Sequence, residues 1–94
     1  MTELTLNSYP APAEQARGRR LEHEAVVVLP DQGQVKVLNE VGAQIWTLAD
    51  GSRSVSEIAA VVCREYDVPP AVAEADTLKF LAELQQKGLI VLRA

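Results

Sequence analysis

The sequence predicts an α+β fold in which a three-stranded antiparallel β-meander is followed by three α-helices. Three observations lead there. Branched apolar runs and turn residues alternate between positions 19 and 38. Helix-start and helix-stop signals then occur three times in succession. Finally, the single Cys63 cannot staple the fold, and no apolar run approaches the roughly eighteen residues of a membrane span. At 94 residues the chain makes one domain with a single modest core.

Taken in order, residues 1–16 hold Pro10, Ala11, Pro12 and Ala13 with neither a helical nor a strand period. They read as a flexible N-terminal arm, which sets the domain at 17–94. From Arg19 the pattern turns extended, with Leu21 and His23 alternating with charged neighbours. Ala25–Leu29 is apolar at every position and rich in branched residues, the pattern of a strand covered on both faces. Pro30, Asp31, Gln32 and Gly33 supply turn chemistry. In the run Val35, Lys36, Val37, Leu38 the alternation predicts that Lys36 faces away from the side that buries Val35 and Val37. Short connections place Ala25–Leu29 in the middle of the meander and 35–38 at its edge. An edge strand exposes unpaired backbone donors and acceptors, and only Lys36 protects this one.

Each helix carries recognisable ends. Asn39 is the expected N-cap of the first, whose stripe is Val41, Ile45 and Leu48 with Trp46 widening it, and Asp50 and Gly51 end it. Ser54 and Glu57 form a capping box for the second, which is expected to bury Val55, Ile58, Ala59, Val62 and Tyr66. Pro69 and Pro70 start a third of about eighteen residues, roughly 27 Å long. Its inward stripe is Thr77, Phe80, Leu81 and Leu84, Leu78 points away from that stripe, and Gly88 stops the helix. Leu89, Ile90 and Val91 are expected to pack back under the sheet.

Nine basic against thirteen acidic residues, a formal charge of −4, disfavour nucleic acid and anionic membrane as partners, since both reward an excess of Lys and Arg. The amino terminus lacks the basic start and apolar run of a secretory signal, and the lone Cys63 suits a reducing compartment, so a cytoplasmic location is expected. His23, the only histidine, has no Cys/His cluster at ligand spacing and reads as a strand residue near the surface; Cys63 reads as a small buried hydrophobe. No metal, cofactor or catalytic set is implied. Glu74, Asp76 and Glu83 put carboxylates along the third helix, where a solvated face is the plain interpretation. The narrower reading is that Asp76, Lys79, Phe80 and Glu83 flank a groove between this helix and the strand at 35–38. A meander with an open edge beside a long helix suits a binding module for an extended chain, because strand addition supplies main-chain hydrogen bonds while alternate side chains select.

One series of anchors sharpens this reading: Leu38, Asn39, Glu40, Val41, Gly42, Ala43, Gln44, Ile45 and Trp46; then Asp50 and Gly51; then Ser54, Val55, Ser56, Glu57, Ile58 and Ala59; then Phe80, Leu81, Ala82, Glu83 and Leu84 before Lys87, Gly88, Leu89 and Ile90. The series covers roughly the last two thirds of the chain and resembles the PqqD-like family. The resemblance implies a winged helix-turn-helix-like fold and a non-catalytic role: gripping the leader segment of a ribosomally made precursor peptide for delivery to a modifying enzyme or leader peptidase. It places the leader as an added strand along Val35, Lys36, Val37 and Leu38, against a third-helix face containing Asp76, Lys79, Phe80 and Glu83. Family members serve pyrroloquinoline quinone and lasso-peptide pathways; nothing in the core anchors separates the two, and the expectation leans slightly towards the lasso-peptide or another modified-peptide pathway. The alternative is a winged helix-turn-helix DNA-binding regulator. Its recognition helix would start at Pro70, Ala71, Val72, Ala73, Glu74, Ala75 and Asp76, with two acids and nothing basic to meet phosphate or base edges.

Overall fold

The structure, a computed structural model, describes residues 3–93; Met1 and Thr2 of the expected arm, and Ala94, lie outside the described residues. The elements are β1 (Tyr9–Pro12), β2 (Arg17–Arg20), β3 (Ala25–Leu29), a 3₁₀ turn at Pro30–Gln32, β4 (Gln34–Leu38), α1 (Glu40–Leu48), α2 (Val55–Tyr66), α3 (Pro70–Gln86) and β5 (Ile90–Arg93). The expected α+β architecture is present: β2, β3 and β4 form an antiparallel meander in that order, and three helices follow. Among the described residues no helix is long and apolar enough to cross a membrane.

The helix ends follow the local chemistry. Asn39 accepts the Gly42 N–H at 2.9 Å, and Ser54 and Glu57 close a reciprocal capping box. Pro70 opens α3 without losing an intrahelical bond. Gly88 turns the chain at φ +74°, a conformation costly for a side chain with a Cβ. In the turn after α1, Ser52 donates its hydroxyl and its backbone N–H to Asp50, which holds that carboxyl below its usual pKa range. The core is built from Ala25, Val27, Leu29 and Leu38 of the meander, Ala43 and Ile45 of α1, Val55, Ile58 and Val62 of α2, Ala73, Leu81 and Leu84 of α3, and Leu89 and Ile90 after it. Tyr66 only flanks this core, and so does Phe80.

Several expectations about the strands are corrected as well. First, the arm contains a strand: β1 pairs antiparallel with β5, Tyr9 opposite Arg93 and Pro12 opposite Ile90. Prolines fit because their spacing of two puts both on one side. Ala13 N–H donates to Leu89 O at 3.0 Å in the same register, so the amides of odd-numbered positions point at β5 and the missing ones at 10 and 12 point away. The segment is also held by its carbonyls: Pro10, Ser8 and Leu6 accept from Gly51, Val55 and Ser56 N–H, and the last two are amides of the first turn of α2 with no partner inside the helix. Leu89 and Ile90 are buried as expected, but Val91 is 46% exposed, because strand pairing alternates the faces of β5.

Second, the first meander strand is Arg17–Arg20, and the Leu21/His23 alternation lies in its turn, where Leu21 N–H donates to Glu24 O at 2.8 Å. Third, β3 is covered on one face only: Ala25, Val27 and Leu29 are buried, while Val26 and Val28 are half-buried. Fourth, β4 has the opposite phase to the one expected. Val35 and Val37 are 66% and 60% exposed, whereas Leu38 is 2% exposed and Lys36 shares its side of the sheet. The cause lies at the next residue. Asn39 caps α1 immediately, so Leu38 must turn inward under that helix, and the strand period of two carries Lys36 and Gln34 in with it.

Candidate functional site

The meander has two edges, and they differ. β2 is Arg17, Gly18, Arg19 and Arg20, short, charged and exposed at each position, the composition that discourages pairing. Its inner side is already engaged. Arg20 donates to Thr47 Oγ1 at 2.9 Å and Gln44 Oε1 at 3.1 Å on α1, and a Cβ on Gly18 would run into the Trp46 indole. β4 carries no such protection. Among the described residues nothing pairs with its outer edge.

The register tells which backbone groups that edge presents. Leu21 and Glu24 are a directly opposed, hydrogen-bonded pair one step beyond Arg20 and Ala25. Alternation then makes Arg19–Val26 and Arg17–Val28 bonded pairs, so the Val26 and Val28 amides point at β2 and those of Ala25, Val27 and Leu29 at β4. Across β4, Leu38, Lys36 and Gln34 are therefore tied to β3. The N–H and C=O groups of Val35 and Val37 face the open edge.

Beside this edge runs a groove of about 470 Å³, lined by Lys36, Val37, Leu38 and Asn39 of β4 and the α1 cap, Val41, Gly42 and Ile45 of α1, and Asp76, Phe80 and Glu83 of α3. The three α3 residues, spaced at four and three, share one helical face. Val41 and Phe80, both half-buried, provide the accessible apolar floor. Lys36, Asp76 and Glu83 provide charge, and none of the three forms a salt bridge among the described residues. Gly42 lets the Phe80 ring lie against α1: an added Cβ would stand 3.1 Å from Phe80 Cζ.

Of the residues expected from sequence, the structure brings Lys36, Val37, Leu38, Asp76, Phe80 and Glu83 together. It does not bring the Val35 side chain or Lys79 into the groove. Val35 points to the outer face of the sheet, and Lys79 lines a separate hollow of about 730 Å³ with Leu4, Leu78 and Ala82 on another face of α3. Leu78 thus has a neighbour the sequence did not suggest, the N-terminal Leu4. Asn39, Val41, Gly42 and Ile45 were missed as groove residues; their signal was the glycine inside α1, placed where another element approaches. His23 sits in the β2–β3 turn with its side chain 71% exposed, its Nδ1 3.6 Å from Glu40. Cys63 is half-buried, not fully buried, since it lines a shallow surface hollow with Ser56, Ala60 and Glu74.

Comparison with known proteins adds to this geometry. The family model described as coenzyme PQQ synthesis protein D (PqqD) matches residues 24–90, from the start of β3 through the last helix. The chain belongs to the PqqD family. A PqqA binding protein of Xanthomonas oryzae pv. oryzae (strain KACC10331 / KXO85) is 34% identical over 95 residues, covering 96% of this chain and 98% of its own. Among solved structures, the PqqD truncation of Methylobacterium extorquens PqqCD, a stand-alone recognition element for ribosomally synthesised and post-translationally modified peptides, superposes with a TM-score of 0.78 at 30% identity over 96% of each chain. TbiB1 in complex with the TbiA(beta) leader peptide superposes with a TM-score of 0.81 at 27% identity, covering 89% of this chain and 98% of its own. The PqqD-family segment contains β3, β4 and all three helices, and so every residue that lines the groove.

Proposed function

We propose that this PqqD-family chain is a non-catalytic carrier of a precursor-peptide leader. The leader adds as a strand to the outer edge of β4, bonding to the backbone of Val35 and Val37. Its alternate side chains enter the groove between Lys36, Asp76, Phe80 and Glu83, with Val41 and Gly42 beneath. The bound leader is then presented to a modifying enzyme or leader peptidase, in the cytoplasm. The observation that carries this reading is the open β4 edge, whose outward amides adjoin an apolar groove with unpaired charges at its rim. Strand addition explains both features, since backbone bonding supplies affinity and the groove supplies choice.

Lys79 is reassigned outside the contact set, and Val35 contributes through its backbone. The sequence leans towards a lasso-type leader, whereas a relative matching nearly end to end is a PqqA binding protein. The test therefore titrates labelled leaders of both kinds, taken from precursors encoded with this chain, by fluorescence polarisation. Sub-micromolar, saturable binding of one leader is expected and identifies the pathway. No saturable binding of any encoded leader overturns the proposal.

A further inference from the structure

We propose that the outer face of the meander docks the enzyme that receives the leader, through an apolar patch rimmed by carboxylates on that enzyme; the proposal rests on the carrier reading above. Paired residues of an antiparallel sheet share a face. The register sets Arg19 opposite Val26 and Val26 opposite Val37, and likewise Arg17 opposite Val28 and Val28 opposite Val35. These six side chains therefore form one surface, and the three helices pack on the other side of the sheet. Val35 and Val37, at 66% and 60% exposure, are the most exposed of the chain's large hydrophobic residues among those described. Contiguous exposed apolar surface of this kind marks contact sites.

Charge indicates what covers it. The chain carries −4 overall, yet both charged residues at these paired positions are arginines. The Arg17 guanidinium is held by the Glu14 and Ala16 carbonyls at 2.8 and 3.0 Å, while the Arg19 side chain has no hydrogen bond or salt bridge among the described residues. An acidic rim on a different protein complements the free Arg19 guanidinium beside the valines. The face is also continuous with the leader edge. A strand added to β4 sends every other side chain to the outer face beside Val35 and Val37, so the loaded carrier presents a wider surface than the empty one. The enzyme therefore binds the loaded carrier more tightly.

The experiment titrates the purified enzyme encoded beside this chain and its leader against full-length carrier, with and without saturating leader, while leader affinity is measured separately. Arg19→Glu and the double variant Val26→Thr/Val28→Thr are compared with wild type; Arg64→Glu, on the exposed surface of α2, controls for general electrostatics. Expected is an enzyme complex several-fold tighter with leader present, weakened at least ten-fold by Arg19→Glu and by the valine pair, unchanged by Arg64→Glu, with leader affinity within two-fold throughout. Arg19→Glu carries the test if the valine pair impairs folding, because Arg19 is exposed and its side chain makes no hydrogen bond among the described residues. The proposal is overturned by an absent complex, by equal enzyme affinity for all variants, by an equal loss with Arg64→Glu, or by sedimentation showing a carrier dimer that the valine pair dissolves. Failure of the carrier reading is distinguishable, since it appears as lost leader binding in the wild type.

Discussion

Replacing Val37 by Pro separates leader binding from folding. Register makes the Val37 N–H one of two outward donors on β4, while its neighbour Lys36 donates inward to Val27. Val37→Pro therefore removes a donor that the protein's own sheet does not use, and Lys36→Pro removes one that it does. A single hydrogen bond is worth about 0.5–1.5 kcal/mol net, rising to about 1–3 kcal/mol where the abandoned carbonyl is left buried without a partner. A leader carbonyl facing a proline ring beside the Phe80 groove meets the second condition. A loss of about 1–3 kcal/mol corresponds to roughly a 5- to 150-fold weaker complex. The fold pays little, because proline is tolerated on an outward-facing edge position. Lys36→Pro strands the Val27 carbonyl instead and costs stability by a similar amount, with a fall in Tm of about 4–8 °C per kcal/mol for a domain of this size. The assay is leader affinity by fluorescence polarisation, with thermal unfolding followed by circular dichroism. A folded Val37→Pro variant that binds leader like the wild type refutes strand addition at this edge. A Val37→Pro variant as unstable as Lys36→Pro refutes the assignment of outward amides.

Two further substitutions test the packing around the groove. Thr77 is 0% exposed and its Oγ1 has no hydrogen-bond partner, so Thr77→Val, which keeps the shape and removes the stranded hydroxyl, is expected to stabilise the fold by about 1 kcal/mol in urea denaturation; a loss of stability shows that the hydroxyl has a partner in solution. Gly42→Ala gains up to about 1 kcal/mol of helix propensity but drives a methyl to 3.1 Å from Phe80 Cζ, so stability is expected to change little while leader affinity falls several-fold as the ring shifts into the groove; unchanged affinity shows that the ring position does not matter.

The parts of the fold that were legible in the sequence are those governed by neighbouring residues. Asn39, the Ser54/Glu57 box, Pro70 and Gly88 each act within one helical turn, and each does in the structure what its local chemistry demands. The β1–β5 pairing joins residues about eighty positions apart. A Pro/Ala stretch carries no apolar period to announce such a partner, and the favourable two-residue spacing of Pro10 and Pro12 has meaning only once β5 is beside it. Six of the ten groove residues were legible for the same reason. Asp76, Phe80 and Glu83 share a helical face by spacing alone, whereas Val41, Gly42 and Ile45 join them only because α1 leans on α3 through the glycine.

The phase of β4 is the most instructive difference, because it bears on how the site works. Alternation in Val35, Lys36, Val37 and Leu38 establishes a period of two but not which half faces the core; valine at the surface and lysine turned inward look improbable until α1 is seen to begin one residue later. The consequence is a division of labour along a single strand. Val35 and Val37 give their backbone to the open edge and their side chains to the outer face, while Lys36 gives its backbone to β3 and its side chain to the groove. In the proposed complex the leader meets the backbone of one set of residues and the side chains of the other. In that complex, substitution of the Lys36 side chain changes which leader residue is preferred without disturbing the ladder, and substitution of Val35, which does not line the groove, changes the outer face alone. Backbone chirality imposes this division, because residues of a strand whose side chains share a face also turn their amides to the same edge; the phase decides only which residues take which part.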